Sequence, residues 1–183
     1  PSQDRKVFFR STKLPEFGNV LAVQKLWDYL TESEERNDQI LSDILSLLSE
    51  DKSPLVISDR TEHLDTLSNL VGERTDAPIL VLKGIMGKKD RSNVINSVRA
   101  HVSAHTAFCL FATGSLIGEG FDLPDLDTMV LTMPISFKGR LTQYVGRLHR
   151  QNAAERKEIV VYDYVDTCSG ITISMLKKRL SAY

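Results

Sequence analysis

The sequence predicts an α/β fold built around a mainly parallel sheet. Three features point that way. From Pro54 onward, short apolar runs alternate with stretches of helical periodicity. The runs, such as 55–58 and 107–112, carry apolar residues at successive positions, the pattern of strands covered on both faces. Strand and helix follow each other in turn, as right-handed βαβ crossovers require.

Residues 1–52 differ in texture from the rest and read as an N-terminal strand with a helical appendage. Residues 6–10 form a strand candidate, ended by Pro15 and Gly18. Residues 20–30 place Val20, Val23, Leu26, Trp27 and Leu30 at helical spacing, so Trp27 is expected in a core. Thr31 or Ser33 can cap a second helix running to about Ser49, with Ile40, Leu41, Ile44, Leu45, Leu47 and Leu48 inward. The turn at 51–54 separates this segment from a domain over 53–183.

Within that domain, strands are expected at 55–58, 78–82, 107–112, 128–131 and 158–162. Helices are expected at 60–73, 87–104, 139–148 and 171–183. In parallel α/β sheets, function gathers at the carboxyl ends of the strands. The loops after Ser58, Leu82, Ala112, Leu131 and Tyr162 are therefore the ones to inspect.

Composition narrows the function. The chain has 183 residues, 42% hydrophobic and 26% charged, enough for a substantial core without disulfide support. Its formal charge of −1 excludes gripping nucleic acid by bulk charge, though not by a local cluster. The two cysteines, Cys109 in an apolar run and Cys168, form neither a zinc nor a redox spacing. A reducing, cytoplasmic compartment is expected. No run approaches the ~20 apolar residues of a membrane span, and the polar start Pro1-Ser2-Gln3-Asp4 is no signal peptide. That start, without Met, suggests a processed or excised piece.

Two segments carry the chemistry. TGSLIGEGFDLP at 113–124 follows a buried strand directly, and its three glycines permit close backbone approach. Thr113 offers a hydroxyl to a phosphate, and Asp122 an acceptor to a ribose. Taken alone, such a loop is as often a simple chain reversal. QYVGRLHR at 143–150 places Gln143, Arg147 and Arg150 on one helical face. Paired guanidiniums suit a polyphosphate. Gly146 inside that helix costs roughly 1 kcal/mol, so close packing at that point must compensate. A phosphate-cradling Gly-x-x-x-x-Gly-Lys-Ser/Thr loop and an acidic pair after an apolar strand are both missing from these residues.

The order and spacing of 113–124 and 143–150 resemble motifs V and VI of superfamily 2 helicases and translocases. The likeness is to their second RecA-like domain, the helicase C-terminal domain. PLVISDRTEHL at 54–64 resembles motif IV, LKGIMGKKDR at 82–91 resembles motif IVa, and VYDYVD at 161–166 with Lys177, Lys178 and Arg179 resembles the tail of the restriction-enzyme-like DEAD/DEAH branch. The resemblance covers roughly 54–183, with 6–10 as the incoming interdomain strand, and implies a RecA-like three-layer fold.

The resemblance also implies residue roles. ATP with Mg²⁺ would lie between this domain and an N-terminal RecA-like domain of the same polypeptide that carries the P-loop and acidic pair. Arg150 would be the arginine finger, with Arg147 beside the γ-phosphate. Gln143 would face the nucleotide, and Gly120 and Asp122 would couple it to the nucleic acid. Thr113, Ser58, Arg60 and Gly84 would approach the backbone of DNA or RNA, with DNA preferred. Many relatives carry an arginine just before the motif V glycine. Glu119 stands there instead, so that position would repel phosphate or pair with a basic residue across the cleft.

Other residues read more plainly. His101 and His105 are four apart without a third ligand, so a surface helix and no metal site is expected. His149 has a cleft role or a packing role. Lys88, Lys89 and Arg91 form a solvated helix start. The chain is thus expected to be the C-terminal half of an ATP-dependent helicase or translocase, inactive alone. Two rival expectations are a non-enzymatic docking module on the same fold and a small-molecule nucleotide-binding protein.

Overall fold

The computed structural model describes residues 5–17, 23–118, 126–134, 158–181 and 183. Six strands form one sheet: β1 (Arg5–Ser11), β2 (Leu55–Ser58), β3 (Ile79–Leu82), β4 (Cys109–Thr113), β5 (Thr128–Leu131) and β6 (Ile159–Val165). Their order is β1-β6-β5-β2-β4-β3, and every described pairing is parallel. The described helices are α1 (Val23–Glu32), α2 (Glu34–Ser49), α3 (Thr61–Gly72), α4 (Lys88–Ser103), α5 (Gly114–Gly118) and α6 (Gly170–Leu180).

Both faces of the sheet are covered, which is why its central strands lack alternation. Leu55, Ile57, Leu110, Ala112, Met129 and Leu131 pack on one face with Val98 of α4. Val56, Cys109, Phe111 and Val130 pack on the other, against Ile40 and Ile44 of α2 and Leu64, Leu67 and Val71 of α3. Each Val, Leu, Ile, Phe or Met side chain among them contributes about 1.5–3 kcal/mol on burial. β3 is an edge strand, and three of its four residues are only half-buried.

The first 52 residues contribute to these layers. β1 pairs with β6 along its length, from Arg5 opposite Ile159 to Ser11 opposite Val165. α2 shares its buried cluster with β2 and β4. Ser33 caps α2, accepting from the Arg36 N–H at 3.2 Å, with Glu34 and Glu35 in the favourable first turn. α1 packs through Leu26 and Leu30 on Cys168, and Trp27 is half-buried beside them.

Several boundaries differ from expectation. β6 runs on past Tyr162 to Val165, because Asp163 is buried against Arg179 at 2.7 and 2.9 Å and accepts from the Tyr183 hydroxyl at 2.5 Å. A partnered carboxylate does not end a strand. The residues after Thr113 begin as the short helix α5 rather than as a loop. His105 lies beyond the end of α4 with φ 54°, so it does not share a helical face with His101, which instead stacks near Phe108. The helix expected at 139–148 lies outside the described residues.

Candidate functional site

Parallel register brings three strand ends together. Ser58 stands opposite Thr113 across β2 and β4, and Leu82 stands opposite Ala112 across β3 and β4. Ser58, Gly84 and Thr113 therefore meet at the carboxyl edge of the sheet, where a ligand is expected. The Gly84 N–H donates to Thr113 Oγ1 at 3.1 Å. A hydroxyl that accepts still carries a hydrogen to donate, so Thr113 keeps a donor for an anion.

Among the described glycines, Gly114 has the closest neighbour. A Cβ there would overlap Asp59 Oδ1, and would stand 3.4 and 3.5 Å from Asp59 Cγ and Ile57 Cγ2. At Gly84 a Cβ would make ordinary contacts, at 3.6 Å from the Thr113 and Ser115 hydroxyls.

Ser58 is engaged by the protein itself. Its hydroxyl accepts from the Arg60 N–H at 3.2 Å and lies 3.1 Å from His63 Nδ1. His63 Nε2 lies 2.8 Å from Asn37 Oδ1, an atom that only accepts. Nε2 therefore carries the proton, and Nδ1 accepts from Ser58. Asn37 in turn donates through Nδ2 to the Thr31 carbonyl at 2.9 Å. Burial, then the nearby Arg36 and Arg60 cations, pushes the His63 pKa down to about 3. The imidazole is thus neutral at physiological pH.

Arg60 turns toward α1. Its Nη1 donates to Asp28 Oδ1 at 2.8 Å, and once the Gln24 amide is rotated its oxygen accepts from both terminal nitrogens, at 2.6 and 3.0 Å. Lys83 is paired with Asp65 at 2.6 Å. Of the other basic residues at this edge, Arg91 folds back onto the Gly84 carbonyl rather than standing in solvent. Lys88 and Lys89 are exposed at the start of α4.

The nucleotide-side candidates Gly120, Asp122, Gln143, Arg147 and Arg150 lie outside the described residues, as do Glu119 and His149. Among the described residues no group of three His, Cys, Asp or Glu side chains could hold a metal. None of the described helices is long and apolar enough to cross a membrane. Cys109 is fully buried and its pKa is raised by that burial, so it is a packing residue rather than a nucleophile.

Asn37, His63 and Asp28 escape sequence reading. The one local signal is a histidine within the first turn of α3, five residues after Ser58. Nothing local announces its partner on α2.

A family model described as "Helicase conserved C-terminal domain" matches residues 36–152. No curated protein matches the chain significantly. Among solved structures, T4 UvsW superposes with a TM-score of 0.69 at 16% identity, over 98% of this chain and 39% of that one. The C-terminal part of the Fun30 ATPase domain gives 0.64 at 18% identity, over 80% of this chain and 47% of that one. Domain 2 of the Mss116p DEAD-box helicase, bound to an RNA duplex, gives 0.59 at 14% identity, over 90% and 55%. The chain thus spans between 39% and 55% of the length of these structures.

Proposed function

The chain belongs to the family of helicase conserved C-terminal domains, and from that premise we propose that it is the C-terminal RecA-like half of an ATP-dependent nucleic-acid helicase or translocase. Its all-parallel sheet is that of RecA-like helicase domains. The observation that carries the functional reading is the convergence of Ser58, Gly84 and Thr113 at three adjacent strand ends.

In this reading the sheet edge meets the sugar–phosphate backbone, with Thr113 donating to a phosphate and Lys88 and Lys89 supplying charge. Contacts of this kind hold a strand without reading its sequence, so binding is non-specific and weakens steeply with salt. Ser58 acts by holding the Arg60 backbone. Arg60 reaches phosphate after leaving Asp28. DNA is the preferred strand, with RNA the alternative.

ATP with Mg²⁺ is proposed on the family resemblance. When bound, it supplies the phosphoryl transfer that drives the domains through a cycle. The residues assigned to it, Gln143, Gly120, Asp122, Arg147 and Arg150, lie outside the described residues. In the same resemblance, Mg²⁺ would be held by an N-terminal RecA-like domain. Arg147 and Arg150 would neutralise charge on the transferring group. This chain alone is inactive in that scheme, and works in the cytoplasm as part of a longer polypeptide.

The test is direct. The 183-residue chain is titrated with single-stranded DNA and RNA over a range of salt. Affinity that falls with rising salt, without sequence preference, supports the reading. No affinity for either strand at low salt overturns it.

A further inference from the structure

The turn between β3 and α4 holds one apolar side chain out into solvent. Ile85 is 85% exposed, whereas Phe8, Phe9, Val23 and Leu180, the other exposed large apolar residues described, lie between 43% and 49%. A single apolar side chain on a surface is ordinary. Its setting is what distinguishes Ile85.

The turn is held by four ties. The Met86 N–H donates to the Lys83 carbonyl at 3.1 Å, and the Lys83 N–H lies 3.2 Å from Met86 Sδ. The Gly84 N–H is held by Thr113, and the Gly84 carbonyl accepts from Arg91. Ile85 is therefore presented on a rigid frame at the end of the sheet, next to the proposed phosphate contact. Rigid presentation lowers the ordering cost of any contact it makes.

The surroundings identify the partner. Gly87, Lys88, Lys89 and Asp90, which follow in the chain, are all exposed, and none of them carries an apolar side chain. A protein interface needs a contiguous core of several buried side chains. The flat face of one nucleobase needs only one. The two exposed lysines favour a polyanionic strand beside it.

We infer that Ile85 packs against a base of the nucleic-acid strand whose phosphates lie at Thr113, Lys88 and Lys89. This rests on the nucleic-acid reading above and adds to it a base contact that no phosphate ligand supplies. Apolar side chains are used in this way, against or between bases, by proteins that otherwise grip the backbone.

The test compares the 183-residue chain and its Ile85→Ser variant on two probes, oligodeoxythymidylate and an abasic strand of equal length. The wild type should prefer the strand with bases. Ile85→Ser should lose about tenfold on that strand, little on the abasic one, and keep the same salt slope. Lys88→Ala with Lys89→Ala should do the reverse, lowering the slope while retaining the preference. Equal affinity of wild type and Ile85→Ser for oligodeoxythymidylate overturns the inference, as does an equal loss on both strands. A wild type that binds neither probe overturns the nucleic-acid reading, and this inference with it.

Discussion

The Ser58 hydroxyl lies 3.1 Å from His63 Nδ1, deep enough that neither residue is more than 2% exposed. Because the other ring nitrogen donates to Asn37, this contact has a direction, from Ser58 to the imidazole. One neutral histidine thus links the end of β2 to α2. The Arg60 backbone is held to Ser58, and the Arg60 side chain to α1.

That neutral histidine makes stability depend on pH. His63 falls from its ordinary 6.5 to about 3 in the folded chain, chiefly through burial. The folded state then binds fewer protons than the unfolded state between those values. Its contribution is fully present above pH 6.5 and is lost as pH falls toward 3. The slope is about 1.4 kcal/mol per pH unit inside that window. Thermal melting of His63→Gln should be flatter by that amount between about pH 6 and about pH 4. Parallel melting curves for variant and wild type would show that the histidine is not held neutral.

Gly114 and Asp59 form a steric pair, since a Cβ added to the glycine would overlap the carboxylate oxygen. Gly114→Ala must turn the exposed Asp59 carboxylate aside and should cost less than about 1 kcal/mol by denaturant melting. The double variant Gly114→Ala with Asp59→Gly should recover most of that loss. Simple additivity of the two changes would place the strain elsewhere.

Much of the fold is legible in sequence because burial on both faces writes itself into consecutive positions, as in Val56 and Ile57 or Leu110 and Phe111. Partnerships across the chain leave no such trace. The strand expected to end at Tyr162 runs on through Asp163 because Arg179 lies beside it, and the burial of His63 rests on Asn37, 26 residues earlier. At the site, the strand-end rule points to the loops that carry Ser58, Gly84 and Thr113, and the family resemblance singles out those residues. Neither reveals that Ser58 is engaged inward or that Arg60 is held by Asp28.

The Arg60–Asp28 pair offers a gain of function. Asp28 is 43% exposed and Arg60 22%, so water already reaches the pair and its strength is modest. Asp28→Asn leaves the guanidinium more available to a phosphate. Affinity for a single strand should rise several-fold, and the salt slope should steepen by about 0.7–0.9, the share of one phosphate contact. Adding Arg60→Ala should cancel both effects. An unchanged Asp28→Asn would confine Arg60 to a structural role on α1.

Arg36 and Asp166 pair through two bonds of 2.9 Å with both side chains fully buried, joining α2 to the end of β6. Thr12, just past β1, donates to the same carboxylate at 2.5 Å. Asp166→Ala would leave a buried guanidinium without its counter-charge and should cost about 3–5 kcal/mol. Replacing both, as Arg36→Met with Asp166→Leu, should cost much less, because no lone charge remains. If the double variant melts as low as the single, packing rather than charge sets the loss.

Arg150 carries the sharpest prediction about catalysis, because its proposed contribution exists only when a second domain supplies the nucleotide. Joined to a P-loop-bearing half, Arg150→Ala should lower ATP turnover by about a thousandfold or more. Arg150→Lys should restore little, since an ammonium lacks the planar fork that spans two phosphate oxygens. In the 183-residue chain, Arg150→Ala should leave single-strand affinity unchanged, because the strand is assigned to Gly84 and Thr113, with Ser58 holding the Arg60 backbone. Loss of strand affinity with normal turnover would reverse that division and move Arg150 from the nucleotide to the nucleic acid.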